Sequence, residues 1–177
     1  MTDVVMIIRH GEKPEGHSDV GLTDTGQDDI GALTIRGWVR AGALAVLFGD
    51  DRVGLPAGLK RPGAIYAAAP KHGGKGLRAS ETVTPLAEKL SITVDEKYGT
   101  GDEVALAREL AERTGVTLVA WEHTAIVDIL AGFGAIRPTP PKAWPDTRFD
   151  LVWALARDGE AWTFTEVPQH LIHGDSD

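Results

Sequence analysis

Apolar positions follow two rhythms along this chain. Residues 4–8, 64–69, 116–121 and 150–156 are short runs in which nearly every position is apolar, as in strands buried on both faces. Residues 92–95 form a shorter run of the same kind. Between the runs the spacing changes to three and four. Residues 34–48 place Ile35, Trp38, Val39, Gly42 and Val46 on one stripe, with Thr34 as the cap. Residues 79–90 align Val83, Leu86, Ala87 and Leu90, although Pro85 predicts a kink or a later start. A third helix follows the capping-box pattern Thr100-x-x-Glu103, carries Val104, Ala107, Leu110 and Ala111, and ends by Gly115. A fourth spans 124–133, with Ile126, Ile129, Leu130 and Phe133, and stops at Gly134.

Near the C-terminus, Asp158-Gly159 suits a tight hairpin into residues 161–167, where Trp162 and Phe164 alternate with Thr163 and Thr165. That last strand is expected antiparallel near an edge. The proline-rich stretch 137–144 reads as an irregular connection and 171–177 as a loose tail. Strand alternating with helix predicts an α/β fold, a three-layer α/β/α sandwich around a mostly parallel sheet with an antiparallel edge strand. At 177 residues the chain suits one domain, covering 1–170.

Composition narrows the function classes. No apolar run approaches a membrane span, and Met1-Thr2-Asp3 lacks the basic start of a secretory signal. Neither a membrane partner nor export is expected. The absence of cysteine removes disulfide and thiolate chemistry and fits a cytoplasmic address. A formal charge of −8 argues against nucleic acid as a partner. Against that background Lys71, His72, Lys75 and Arg78 form a local basic cluster rich in glycine, suited either to solvent or to an anion.

The chemistry gathers at strand ends. Arg9-His10-Gly11 closes the first apolar run, and Arg78 opens the helix after the second. Glu122-His123 follows residues 116–121. Ligands of open α/β sheets sit outside the carboxyl ends of the strands, so two guanidiniums and two imidazoles there suit a phosphate.

Four pieces occur in a telling order: Arg9-His10-Gly11-Glu12, Leu33-Thr34-x-x-Gly37-x-x-Arg40-Ala41, Arg78-Ala79-x-Glu81-Thr82, and the late His123. With them the chain resembles the histidine phosphatase, or phosphoglycerate mutase-like, superfamily. The resemblance implies a phosphomonoester hydrolase that works through a phosphohistidine at His10, with no metal or organic cofactor and with a small phosphorylated substrate or phosphate as its partner. Arg9, Arg78 and His123 would hold the phosphoryl oxygens, and Gly11, Lys13 and Lys71 would contact the substrate.

The proton donor departs from the familiar pattern, because Thr124 stands where an aspartate often follows the second histidine. Glu122 is the first candidate, with Asp102 and Glu103 behind it and water as a further option. Glu122 and His123 can both face the site only if the strand has already ended. His17, His72, His170 and His173 read as surface residues, and no helical His-x-x-x-His pair suggests a metal. A mutase, a protein phosphohistidine phosphatase and a noncatalytic phosphate-binding domain are the alternatives; the oligomeric state is left open.

Overall fold

The computed structural model describes residues 2–16, 18–71 and 76–176. His17 and residues 72–75, which include His72 and Lys75 of the basic cluster, lie outside the described residues. Six strands form one sheet in the order β2-β3-β1-β5-β6-β4. They are β1 (Val4–Arg9), β2 (Ala64–Ala67), β3 (Val116–Trp121), β4 (Ile136–Arg137), β5 (Leu151–Asp158) and β6 (Ala161–Pro168). The longer helices are α1 (Ile35–Gly49), α2 (Arg78–Leu90) and α3 (Glu103–Glu112); α4 (Ile126–Leu130) is a short turn flanked by 3-10 turns at His123–Ala125 and Ala131–Phe133.

β1 is buried along its whole length and pairs in parallel with β3 and antiparallel with β5. At roughly 1.5–3 kcal/mol per large apolar side chain, burial of Val4 to Ile8 makes this strand a stiff base for the loop it feeds. β5 runs against the rest of the sheet. Gly159, at φ 62°, supplies the left-handed backbone of the two-residue turn that joins β5 to β6.

α1 and α2 pack against each other, and α3 packs on α4 and the turn after it. The sheet with its helices is the mixed, mostly parallel α/β fold expected.

Several details differ from the sequence reading. β6 pairs antiparallel with β5 as expected, but the short β4, at the start of the proline-rich stretch expected to be irregular, occupies the edge beyond it. Residues 92–95 form no strand; Asp95 makes an isolated bridge to Tyr66. α2 starts at Arg78 and continues through Pro85.

The capping box is not formed. α3 starts at Glu103, whose carboxylate instead accepts from Gly101 N and from the buried Trp121 indole at 3.0 Å. The α1 stripe is turned around: Ile35, Val39 and Val46 are exposed, while Gly37, Arg40, Ala41, Leu44 and Phe48 face inward. The inward face mixes Leu44, Leu47 and Phe48 with Gly37 and Arg40, which serve the loop beneath the site.

Residues 171–176, expected to be loose, are held by hydrogen bonds. Asp175 accepts from Arg40 Nη2 at 2.7 Å and from Leu171 N at 2.8 Å, and Ser176 N donates to Asp150 at 2.8 Å.

Candidate active site

Register decides which side chains meet. Arg9 pairs with Trp121 across β1 and β3, and His10 N donates to Trp121 O at 3.1 Å, so His10 leaves the sheet beside Glu122 and His123. β3 has ended at Trp121, which is the condition for Glu122 and His123 both to face the site. Ala68 N donates to Ala120 O at 3.1 Å and carries the end of β2 to the same edge. The chain then returns to α2, whose first residue is Arg78.

The loop carrying His10 is clamped from two helices. Gly11 N donates to Thr82 Oγ1 at 2.7 Å, and Glu12 O accepts from Thr34 N at 3.0 Å. Thr34 Oγ1 in turn caps α1 by accepting from Gly37 N at 3.2 Å. A Cβ on Gly37 would lie 2.7 Å from Glu12 O, so only glycine lets α1 approach this closely. Glu81 accepts from Leu33 N at 2.8 Å, tying α2 to the entry of α1. The Glu12 carboxylate is held by Arg40 Nη2 at 2.8 Å and Arg36 Nε at 3.2 Å. Glu12, Thr34, Gly37, Arg40, Glu81 and Thr82 are therefore the frame of the His10 loop.

His10 is 4% exposed, and its Nδ1 lies 2.7 Å from Gly11 O. A carbonyl only accepts, so Nδ1 carries the proton and the Nε2 lone pair is free. Burial pushes the imidazole down to about 3; the Gly11 carbonyl opposes this, while Arg9, Arg78 and His123 add to it. The ring is neutral at pH 7.

The His123 ring lies edge-on to it, with centroids 6.5 Å apart. His123 is also held below its ordinary value, first by burial and then by Arg9. Its Nδ1 is 2.9 Å from Glu122 Oε1, close enough for an ion pair but without hydrogen-bond alignment, so Nδ1 stays unsatisfied. Its Nε2 is 3.5 Å from Asp146 Oδ1.

Arg9 is almost fully buried and stacks its guanidinium on Phe149 at 3.7 Å. One of its nitrogens donates to Asp146 O, and its Nε has no partner among the described residues. Burial lowers its pKa to about 10, which leaves it charged at pH 7. Arg78 Nη2 donates to Ile30 O at 2.8 Å, and its Nε is also unpartnered among the described residues. Unsatisfied buried guanidinium nitrogens beside a neutral imidazole are the donors an anion would complete.

Two cavities adjoin this cluster. One of about 370 Å³ is lined by His10, Arg78, Lys71, Glu122 and the small Ala68 and Ala79. The other, of about 720 Å³, lacks His10 and contains Lys13, Asp146 and Phe149. The smaller one holds the imidazole and Arg78. Gly11 lies beneath, packed 3.2 Å from Gly37 Cα at the position of an added Cβ.

Among the alternative acids, Glu103 is committed to Trp121 and Gly101, and Asp102 Oδ2 accepts from Gly99 N at 3.0 Å; neither lines the cavity of His10. Glu122 does line it. His10, Glu122 and His123 each present an atom within 4.8 Å of the others, so the same trio has the spacing to hold a metal ion. The sequence reading missed Asp146 and Phe149, which reach the site from a stretch with no motif.

No described helix is long and apolar enough to cross a membrane. No family model and no curated protein sequence matches the chain. Solved structures do. The protein histidine phosphatase SixA complexed with tungstate is 15% identical, with a TM-score of 0.60 over 94% of this chain and 97% of that one. The ecdysone phosphate phosphatase from Bombix mori, also with tungstate, is 13% identical, with a TM-score of 0.56 over 99% and 96%. Bacillus stearothermophilus YhfR is 15% identical, with a TM-score of 0.54 over 99% and 98%. These neighbours are members of the histidine phosphatase superfamily, and the chain has their fold.

Proposed function

We propose that the protein hydrolyses phosphomonoesters through a phosphohistidine at His10. The observation that carries this reading is the 2.7 Å contact of His10 Nδ1 with Gly11 O, which fixes the tautomer and leaves Nε2 as a neutral nucleophile. In the first step Nε2 bonds to phosphorus and the ester P–O bond breaks. Arg9, Arg78 and His123 carry the charge that builds on the three equatorial oxygens. The leaving oxygen takes its proton from Glu122. In the second step water attacks the phosphohistidine and gives a proton back to Glu122, the N–P bond breaks, and inorganic phosphate leaves with His10 neutral again. Lys71, at the rim of the His10 cavity, and Lys13, beside Asp146, draw the dianion in.

Tungstate in two of the neighbours supports an oxyanion as the ligand of this fold. The side chains of His10, Arg9, Arg78, His123 and Glu122 supply every role in the scheme without a metal, and the test includes that point. Phenyl phosphate is incubated with the protein in the presence of chelator, and phosphate release is followed. Release that continues with chelator and disappears in His10→Ala supports the scheme. Phosphate binding without turnover indicates a binding domain; release abolished by chelator assigns the His10, Glu122 and His123 trio to a metal. Glu122→Gln should slow phenyl phosphate much more than p-nitrophenyl phosphate, because a good leaving group scarcely needs an acid. Equal slowing removes Glu122 from that role.

A further inference from the structure

The larger cavity differs in charge from the one that holds His10. The His10 cavity carries Lys71 and Arg78 against Glu122, a surplus of positive charge suited to a dianion. In the larger cavity several charges cancel in pairs: Glu12 and Asp175 against Arg40 and Arg36, and Asp150 against Arg148 at 2.6 Å. Among the described residues, Lys13 against Glu15, Asp19 and Asp146 stands outside these pairs, with Arg9 attracting Glu15 and Asp146 from behind Phe149, so a surplus of negative charge remains. Val20, Ile35 and Phe149 add apolar wall.

Two contacts join this cavity to the reacting groups. The Asp146 carboxylate lies 3.5 Å from His123 Nε2, and Phe149 stands 6.2 Å from the His10 ring while it carries the Arg9 guanidinium. Glu15 is also near enough to act on the charge of Arg9.

We propose that the larger cavity receives the alcohol part of the substrate and selects neutral or amino-bearing alcohols over those carrying a carboxylate or a second phosphate. The inference rests on the reading of His10 as the phosphoryl acceptor. Phosphoryl charge is met in the cationic cavity, and the ester oxygen points across Phe149 into the acidic one. An anionic leaving group would face Glu15, Asp19 and Asp146, with Lys13 in compensation and Arg9 engaged by the phosphoryl group, and like charges placed together disfavour the wrong partner. A phosphorylated sugar acid is thus the poor substrate, and the phosphate ester of an amino alcohol or an uncharged alcohol the good one.

Phosphonates separate this inference from turnover, because their P–C bond is not hydrolysed. Affinities of the intact protein for 2-aminoethylphosphonate and 3-phosphonopropionate are measured by calorimetry, each relative to methylphosphonate in the same protein. The amino compound should bind about tenfold tighter than the carboxylate. In the double variant Glu15→Gln, Asp146→Asn that ratio should fall towards one. Equal or reversed affinities overturn the proposal even if phenyl phosphate is hydrolysed, as does a ratio that the double variant leaves unchanged. If none of the three phosphonates binds, both this inference and the phosphoryl site it rests on fail.

Discussion

Replacing Asp175 by Asn tests the frame beneath the site. Burial alone would raise this carboxyl, but hydrogen bonds from Arg40 and from the backbone N–H groups of Leu171 and Ile172 outweigh it and hold the pKa down from 3.8 to about 2. Its side chain is only 4% exposed, so screening by solvent is slight. A drop of that size corresponds to about 2 kcal/mol of stability at neutral pH. Asn keeps the shape and an acceptor but loses the charge, leaving the buried Arg40 paired with Glu12 alone. The sign follows from a depressed acid: the contribution is fully present above the unfolded value and is lost as pH falls through the folded one. The gap between wild type and variant should be constant from pH 8 to 5 and shrink to about half near pH 3. Urea unfolding at pH 7 should show the midpoint lowered by about 1 M. A gap under about 0.5 kcal/mol at pH 7, of the size expected for an ordinary surface substitution, would refute the reasoning, as would a gap unchanged at pH 3.

Three further outcomes follow from the same geometry. Thr82→Val leaves the buried Gly11 N–H without its acceptor and should cost about 1–3 kcal/mol in urea unfolding, with a fall in kcat for phenyl phosphate; a stability unchanged from wild type would mean that Thr82 does not hold the loop. Gly37→Ala and Gly42→Ala should act in opposite directions. Alanine in a helix gains about 1 kcal/mol over glycine, which Gly42, with nothing within 4 Å of an added Cβ, should realise as a higher midpoint. At Gly37 the new Cβ meets Glu12 O at 2.7 Å, and the midpoint should fall instead. Finally, burial holds His10 at about 3, below its ordinary value of 6.5, so the neutral ring costs nothing above pH 6.5, and stability falls as pH drops from 6.5 towards 3, where the unfolded chain binds a proton that the folded one does not. Its ring resonances in NMR should not titrate between pH 5 and 8; a midpoint near 6.5 would remove the buried, neutral nucleophile.

Strand runs such as Val4 to Ile8 were legible because burial on both faces leaves an unbroken apolar string, and the paired geometry of β1, β3 and β5 needs little else. Helix α1 shows the limit of that logic. Its apolar stripe pointed outward, since Ile35, Val39 and Val46 are more hydrophobic than the Gly37 and Arg40 that face the interior. Hydrophobicity ranks side chains by transfer cost, and a buried arginine defeats the ranking once two carboxylates meet it. Asp175 is one of those carboxylates and lies 135 positions away, so nothing local to α1 announced it. The same pair explains why the C-terminal residues, polar and without periodicity, are held in place.

The site divides along a similar line. His10, Arg78 and His123 were readable because each follows or opens a regular element, and elements at one edge of a parallel sheet bring their ends together whatever their separation in sequence. Polar motif positions with no direct place in phosphate chemistry also carried information. Glu81 and Thr82 sit on the buried side of α2, where a carboxylate and a hydroxyl cost free energy unless they are paired, and each is paired to a backbone N–H of another segment. A buried polar residue beside a reactive motif thus marks a brace for it. Asp146 and Phe149 left no such mark, being an exposed acid and an aromatic in a proline-rich stretch. Their position depends on Trp144, whose ring packs 4.7 Å from Trp153 and whose indole donates to Arg148 O at 2.8 Å, fixing the loop from below. Arg9 then settles the loop from above through Phe149. In the proposed scheme the cation that meets the phosphate thereby also builds the wall of the neighbouring cavity, so any change of Arg9 should alter both turnover and the choice of alcohol.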